Sequence, residues 1–264
     1  MLEIHDLKMV YPNGFEAIRS ASFTVGDGEI LGLIGRSGSG KSTLLRCING
    51  IQRPTAGRVL LDGENITALS DADLCVVKRR IGFIWQEFNV VERLTAMENV
   101  LCGRLGHARS LGSLLRYFNR TERAVAVRSL ERVSLLHRGE QRADRLSGGE
   151  KQRVSIARAL AQEPRVILAD EPVASLDPEL AWQVMSLLSA CAREEGVPTV
   201  IAIHAVDLAR AFTDRIVAVA RGAIVYDGPP TGLTEAVLDR VYRDGQPASN
   251  VQREWHEPVL AATA

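Results

Sequence analysis

Nine consecutive residues, Gly35, Arg36, Ser37, Gly38, Ser39, Gly40, Lys41, Ser42 and Thr43, spell GRSGSGKST and fit the pattern G-x4-G-K-S/T. Residue types in this order suit the holding of a polyphosphate. Glycines let successive backbone N–H groups turn inward toward phosphate oxygens. A helix beginning at Lys41 adds a field that favours anions. Lys41 is placed to bridge the β- and γ-phosphates of a nucleotide. The Ser42 hydroxyl is placed to ligate magnesium, which prefers hard oxygen donors.

Two carboxylates complete such a site. The run RVILADEP is apolar until Asp170 and Glu171. Asp170 suits magnesium, through water or through Ser42, and Glu171 suits the orientation and deprotonation of an attacking water. Two charges at a strand end mean little alone; the glycine-rich loop gives them a role. A second anion-sized nest is spelled by RLSGGEKQR, where Ser147 precedes Gly148 and Gly149 at a helix start. Exposed N–H groups would again meet an anion there. Ser147 followed by Glu150 is equally a capping box, which needs no ligand.

The elements that must carry these residues are legible as alternating patterns. LEIHDLKMVY and ASFTV read as strands of mixed alternation, and EILGLIG as a short strand buried on both faces. KSTLLRCINGI has helical spacing, GRVLLDG is a strand between turn glycines, and RRIGFIWQ is a further strand. From Thr95 to Leu136 the pattern is helical, interrupted by GRLGHARSLGS. GGEKQRVSIARALAQEP predicts a helix stopped by Pro164, RVILADE a second buried strand, and DPELAWQVMSLLSACAREEG a helix with a proline start and a glycine end. PTVIAIH is a strand, DRIVAVARGAIVYDG a hairpin and LTEAVLDRVYR a short final helix. Apolar strands alternating with helices predict a mostly parallel sheet covered on both sides. The early antiparallel strands and the helical middle are additions to it.

Composition excludes several classes. The chain has 264 residues, 46% of them hydrophobic, which suits one large domain or two small ones with ample core. Lysine plus arginine equal aspartate plus glutamate at 32 each, so there is no electrostatic footprint for nucleic acid. Cys47, Cys75, Cys102 and Cys191 form no CxxC pair and read as small buried hydrophobes in a reducing compartment. The start of the chain is no signal peptide. No apolar stretch approaches the ~18 residues that a membrane span requires.

With LSGGE beside the loop and the carboxylate pair, the chain resembles the ATP-binding subunits of ABC transporters from Leu2 to Asp244. The resemblance implies an α/β fold, a P-loop NTPase of ABC type, with a mostly parallel central sheet flanked by helices, an antiparallel β subdomain and an α-helical subdomain at about 87–163. It implies ATP and magnesium, and a head-to-tail dimer with a second copy. Ser147, Gly148, Gly149 and Glu150 would then meet ATP held by the partner. The family usually has glutamine at position 150; both residues can serve as the N3 partner of a cap, and Glu150 brings a negative charge near those phosphates, a change compatible with a modest loss of ATP affinity but not with loss of function. Gln86 matches a residue that contacts magnesium and the water and couples the site to the membrane partner. Ser175 and Asp177, in SLD, match a loop that crosses the dimer interface, although Asp177 also suits a helix N-cap. His204 matches a histidine that donates to the γ-phosphate. Tyr11 matches an aromatic that stacks on adenine.

Within the family, FNVVERLTAMENVLCGRLG, SLGSLLRYFNRTERAVAVRSLERVSL and the stretches around QRADRLSGG and VILADEPVASLDPELAWQVM are most similar to phosphonate importer ATPases. Importers of other oxyanions or amino acids, and lipoprotein or macrolide exporters, share much of this pattern. DNA-repair or chromosome ATPases would insert coiled coils or zinc modules at positions 87–145, which hold neither a heptad run nor a CxxC. A tandem translation ATPase would have two cradles. A regulatory binding module would lack Glu171 or His204. The resemblance therefore implies transmembrane permease subunits on separate chains, a periplasmic substrate-binding protein, and a peripheral location on the cytoplasmic face of a bacterial inner membrane. The tail, 245–264, shows no period and is expected to be loosely attached.

Overall fold

The computed structural model describes residues 1–107 and 118–242. Part of the helical middle stretch, and the whole of the tail at 245–264, lie outside the described residues.

Ten strands form one sheet: β1 (Leu2–Val10), β2 (Glu16–Val25), β3 (Ile30–Ile34), β4 (Ala56–Leu61), β5 (Glu64–Asn65), β6 (Ile81–Ile84), β7 (Val166–Asp170), β8 (Thr199–Ala202), β9 (Arg215–Ala220) and β10 (Ala223–Gly228). Their order is β5-β4-β1-β2-β10-β9-β3-β8-β7-β6. Strands β9, β3, β8, β7 and β6 are parallel, and β1, β2, β4 and β5 are antiparallel. The antiparallel strands thus extend the same sheet, joined to it through β10, which pairs antiparallel with β9 and meets β2 at Ala223 and Ser20.

The apolar runs are continuous because both faces of the parallel strands are covered. Ile30 and Ile34 of β3 belong to one buried cluster, and Leu31 and Leu33 to the other. Ile167 and Ala169 of β7 likewise alternate with Val166 and Leu168. On the second face lie α1 (Lys41–Ile48) and α2 (Asp71–Val77), buried through Leu44, Leu45, Ile48, Leu74 and Val77. The first face carries α3 (Ala96–Cys102), α4 (Arg120–Arg132), α5 (Gly148–Leu160), α6 (Pro178–Glu195), α7 (Val206–Phe212) and α8 (Glu235–Tyr242).

Helix starts follow their capping residues. Thr95 with Glu98 and Asn119 with Glu122 form capping boxes on α3 and α4. Asp177 caps α6, Pro178 occupies its first turn, and Gly196 ends it at φ +63°. The helices α2 and α7, of seven residues each, were not anticipated by the periodicity. Two cysteines correct the expectation of burial: Cys75 is exposed on α2 and Cys102 is half-buried at the end of α3, while Cys47 and Cys191 are buried.

Candidate functional site

The loop from Gly35 to Gly40 joins the buried end of β3 to the first turn of α1. Two glycines are required by close approach. A Cβ on Gly35 would stand 2.3 Å from the Val219 carbonyl oxygen, and one on Gly40, at φ +113°, 2.5 Å from the Ala17 carbonyl oxygen. The Ser39 amide donates to the Arg36 carbonyl at 3.1 Å, closing the loop on itself. The Ser39 carbonyl accepts from Gly222 at 3.0 Å, and the Gly222 carbonyl accepts from Arg19 at 2.7 Å. The loop is therefore fastened to β2 and to the β9–β10 turn. Arg36, Ser37 and Gly38 are exposed on its crest.

Two features of the loop fit an anionic ligand. The Ser39 hydroxyl is buried with no hydrogen-bond partner, which costs about 1–3 kcal/mol and would be relieved by an oxygen bound in the loop. Lys41 is 4% exposed. Its Nζ donates to the carbonyls of Gly35 at 2.8 Å and Arg36 at 3.2 Å and lies 3.5 Å from Oε1 of Glu171. Burial pulls the Lys41 pKa down, and Glu171 opposes the shift.

Asp170 ends β7 and Glu171 follows it. The Ser42 hydroxyl donates to Oδ1 of Asp170 at 2.8 Å. Burial pushes the Asp170 pKa up; the Ser42 hydrogen bond opposes this and the Glu171 charge adds to it. Successive side chains of a strand point to opposite faces, yet both carboxylates serve the start of α1. The reason is a backbone turn: Glu171 has φ +49°, in the left-handed region, which costs on the order of 1–3 kcal/mol for a residue other than glycine. Its amide is secured by the Ala202 carbonyl at 3.1 Å. Ser42 and Asp170 offer a hydroxyl and a carboxylate, the hard oxygen donors that magnesium takes. The residues present fit that ion.

The other predicted residues divide into two groups. Registers of the parallel strands pair Asp170 with Ala202, Ala202 with Leu33, and Ile84 with Ala169, so these strands end at one edge. The loop after β3, His204 after β8, Asp170 and Glu171 at the end of β7, and Gln86 after β6 all lie at this edge, where open α/β sheets bind ligands. Gln86 and His204 are exposed, each two residues beyond its strand. Tyr11 follows β1 and reaches the cradle: its hydroxyl is 3.3 Å from Oγ1 of Thr43, and it donates to Oε1 of Gln52 at 3.4 Å.

The nest at Ser147 belongs to the second group, on the helices. Ser147 is the N-cap of α5, and the capping box is complete: Oγ accepts from the Glu150 amide at 3.3 Å, and Oε2 of Glu150 accepts from the Ser147 amide at 2.8 Å. The cap satisfies the third amide of the helix and leaves those of Gly148 and Gly149 without an intrahelical acceptor. Gly149 packs closely on α6: a Cβ there would stand 2.6 Å from a Leu180 methyl, and that side chain would have to shift. Glu150 also lies 3.4 Å from Nε of Arg138, a partner with no signature in the residue pattern. Its pKa is held down, first by the Ser147 amide. Ser175 is exposed, and Asp177 accepts from the Leu180 amide at 3.0 Å, the helix cap anticipated for it.

A loop–helix phosphate cradle, a hydroxyl–carboxylate pair and a separate SGG helix start now stand within one fold. Residues 18–174, which include all three, match the family described as ABC transporter. The chain belongs to that family. Among its ABC relatives, a protein of Alcaligenes faecalis named phosphonates import ATP-binding protein PhnC is 49% identical over 242 residues, covering 92% of this chain and 88% of that protein. One of Rhodopseudomonas palustris strain BisB18, named phosphonates import ATP-binding protein PhnC 1, is 50% identical and covers 92% and 89%. The ABC cassette MJ0796, solved as a dimer in a post-hydrolysis state bound to ADP and Pi, matches with a TM-score of 0.77 at 33% identity, covering 88% of this chain and all of that one.

Proposed function

We propose that this ABC chain is the ATP-hydrolysing subunit of a phosphonate importer, working as a head-to-tail pair against separate permease subunits supplied by a periplasmic binding protein. One observation carries the catalytic part: the cradle, the Ser42–Asp170 pair and Glu171 converge at one edge of the sheet, while the SGG nest sits apart on α5. The relatives' names support the transported class.

In this reading the triphosphate takes over Lys41 from the loop carbonyls and gives Ser39 its missing partner, while Tyr11 stacks on adenine. Ser42, Asp170 and Gln86 would hold magnesium, which would neutralise phosphate charge there. Glu171 accepts a proton from the water that attacks the γ-phosphorus; the bond to the bridging oxygen breaks, releasing ADP and phosphate. His204 donates to the γ-phosphate. Ser147, Gly148 and Gly149 of one copy close over ATP held by the other, with Ser175 and Asp177 crossing between them. ATP thus favours the closed pair, and hydrolysis releases it.

The body that binds nucleotide and the helical part at about 87–163 move relative to each other in this account. A cleft of about 320 Å³ at the end of β6, lined by Phe83, Trp85, Asn89 and Arg158 among others, supports a permease contact at their junction. Among the described residues no helix is long and apolar enough to cross a membrane, which supports a separate permease and a peripheral place at the inner membrane.

The test is growth and uptake with a phosphonate as sole phosphorus source. Deletion of the gene abolishes uptake, the intact gene restores it, and the Glu171→Gln form, which binds ATP but turns over at about 1% or less, does not. Undiminished uptake after deletion contradicts the transported class. An unchanged hydrolysis rate in the Glu171→Gln protein removes Glu171 as the base.

A further inference from the structure

The segment after Gln86 is fastened to α5 at two points. The Phe88 ring lies against the first residue of the helix: a Cβ built on Gly148 would be 3.6 Å from Cζ of Phe88 and 3.5 Å from Cδ2 of Leu176. Ten positions later on the same helix, about 15 Å along its axis, Arg158 holds the backbone of the same segment. Its Nη1 donates to the Asn89 carbonyl at 2.6 Å and its Nη2 to the Phe88 carbonyl at 3.2 Å.

This span is bridged because helical side chains lean toward the helix N-terminus, so the long arginine reaches back while the Phe88 ring reaches forward. Asn89 adopts φ +51°, a turn that offers two successive carbonyls to one planar guanidinium. Arg158 is itself seated closely: a Cβ on Gly103, at the end of α3, would meet its carbonyl oxygen at 2.3 Å. Phe88 and Leu176 meet at Gly148, so the segments bearing Gln86, the nest and Ser175–Asp177 share one contact point.

We infer that Arg158 and Phe88 are positioning residues that make the start of α5 follow the Gln86 segment, so that the Ser147 nest reaches the partner's nucleotide only in register with Gln86. The inference rests on the shared-nucleotide reading above. The clamp touches neither the cradle nor Tyr11, so it governs closure and turnover and leaves the binding of ATP by one copy alone.

The full-length Glu171→Gln protein, incubated with magnesium and ATP, is the parent for measuring dimerisation by sedimentation; kcat is measured in the otherwise native chain. Arg158→Ala removes both hydrogen bonds and raises the dimer dissociation constant about tenfold, with kcat falling in parallel. ATP affinity of the single copy stays within about twofold. Arg158→Lys retains the charge without the planar fork and lies between. Phe88→Ala, which leaves the arginine bonds in place, reproduces the closure defect and carries the test if Arg158→Ala does not fold. Dimerisation and kcat at parental values in both Phe88→Ala and Arg158→Lys overturn the inference, as does loss of ATP affinity in step with closure. A parent that never dimerises overturns the shared-nucleotide reading, and the clamp's role with it.

Discussion

The Ser42 hydroxyl donates to Asp170 across 128 positions of sequence, at 2.8 Å. This bond joins the first turn of α1 to the end of β7, although β8 lies between β3 and β7 in the sheet. Helix α1 crosses the sheet edge from its own strand and brings its start to the carboxylates. The pair also sets an electrostatic tension, because burial and the Glu171 charge disfavour the ionised form of Asp170, against the Ser42 hydrogen bond and the charges of Arg46 and Lys41.

That tension has a sign. Asp170 keeps its proton to higher pH in the folded chain than in the unfolded one, so the stabilisation from that proton is complete at acid pH and is lost as pH rises through the raised folded value. Asp170→Asn therefore raises the melting temperature at pH 7 to 8. It also abolishes the gain in ATP affinity that magnesium gives. In the native chain that gain declines on acidification at a pH above the ordinary aspartate value. Calorimetric titration of ATP with and without magnesium, across pH, checks both statements.

Lys41 is the donor that the loop carbonyls of Gly35 and Arg36 hold in place. Lys41→Ala deletes the charge-assisted bonds to phosphate and weakens ATP binding about 100-fold. Equal ATP affinity in the variant would remove the cradle from nucleotide binding.

Glu150 places a carboxylate at the nest. That carboxylate accepts from the Ser147 amide and lies beside Arg138, so part of its charge is offset within its own chain. Glu150→Gln keeps an acceptor for the cap. It changes stability by less than about 1 kcal/mol at pH 7, and ATP-dependent dimerisation by less than about twofold. The native stabilisation is present above the ordinary glutamate value and lost as pH falls through the depressed folded value. Urea unfolding at acid and neutral pH shows this dependence in the native chain and not in the glutamine form.

The cradle was legible because its residues are contiguous and each conformational demand is met by a glycine or by the start of a helix. Asp170 and Glu171 were legible as an end to an apolar run. What the sequence could not convey was the left-handed turn at Glu171 that lets both carboxylates serve one place. The partnership of Glu150 with Arg138, and that of Arg158 with Phe88 and Asn89, also depend on folding that sets distant residues side by side. Helices α2 and α7 are too short for a 3.6-residue period to stand out from a loop. Cys75 shows the same limit, since one apolar-looking residue does not reveal which face of a short helix it occupies.

The central claim is that each ATP is caged by two copies, one giving the cradle and the other the SGG nest. Sedimentation of the Glu171→Gln chain with magnesium-ATP, alone and with Ser147→Arg added, tests it most directly. A dimer for the first protein, and a monomer of undiminished ATP affinity for the second, is the predicted result. A dimer that persists with arginine at position 147 would contradict the account.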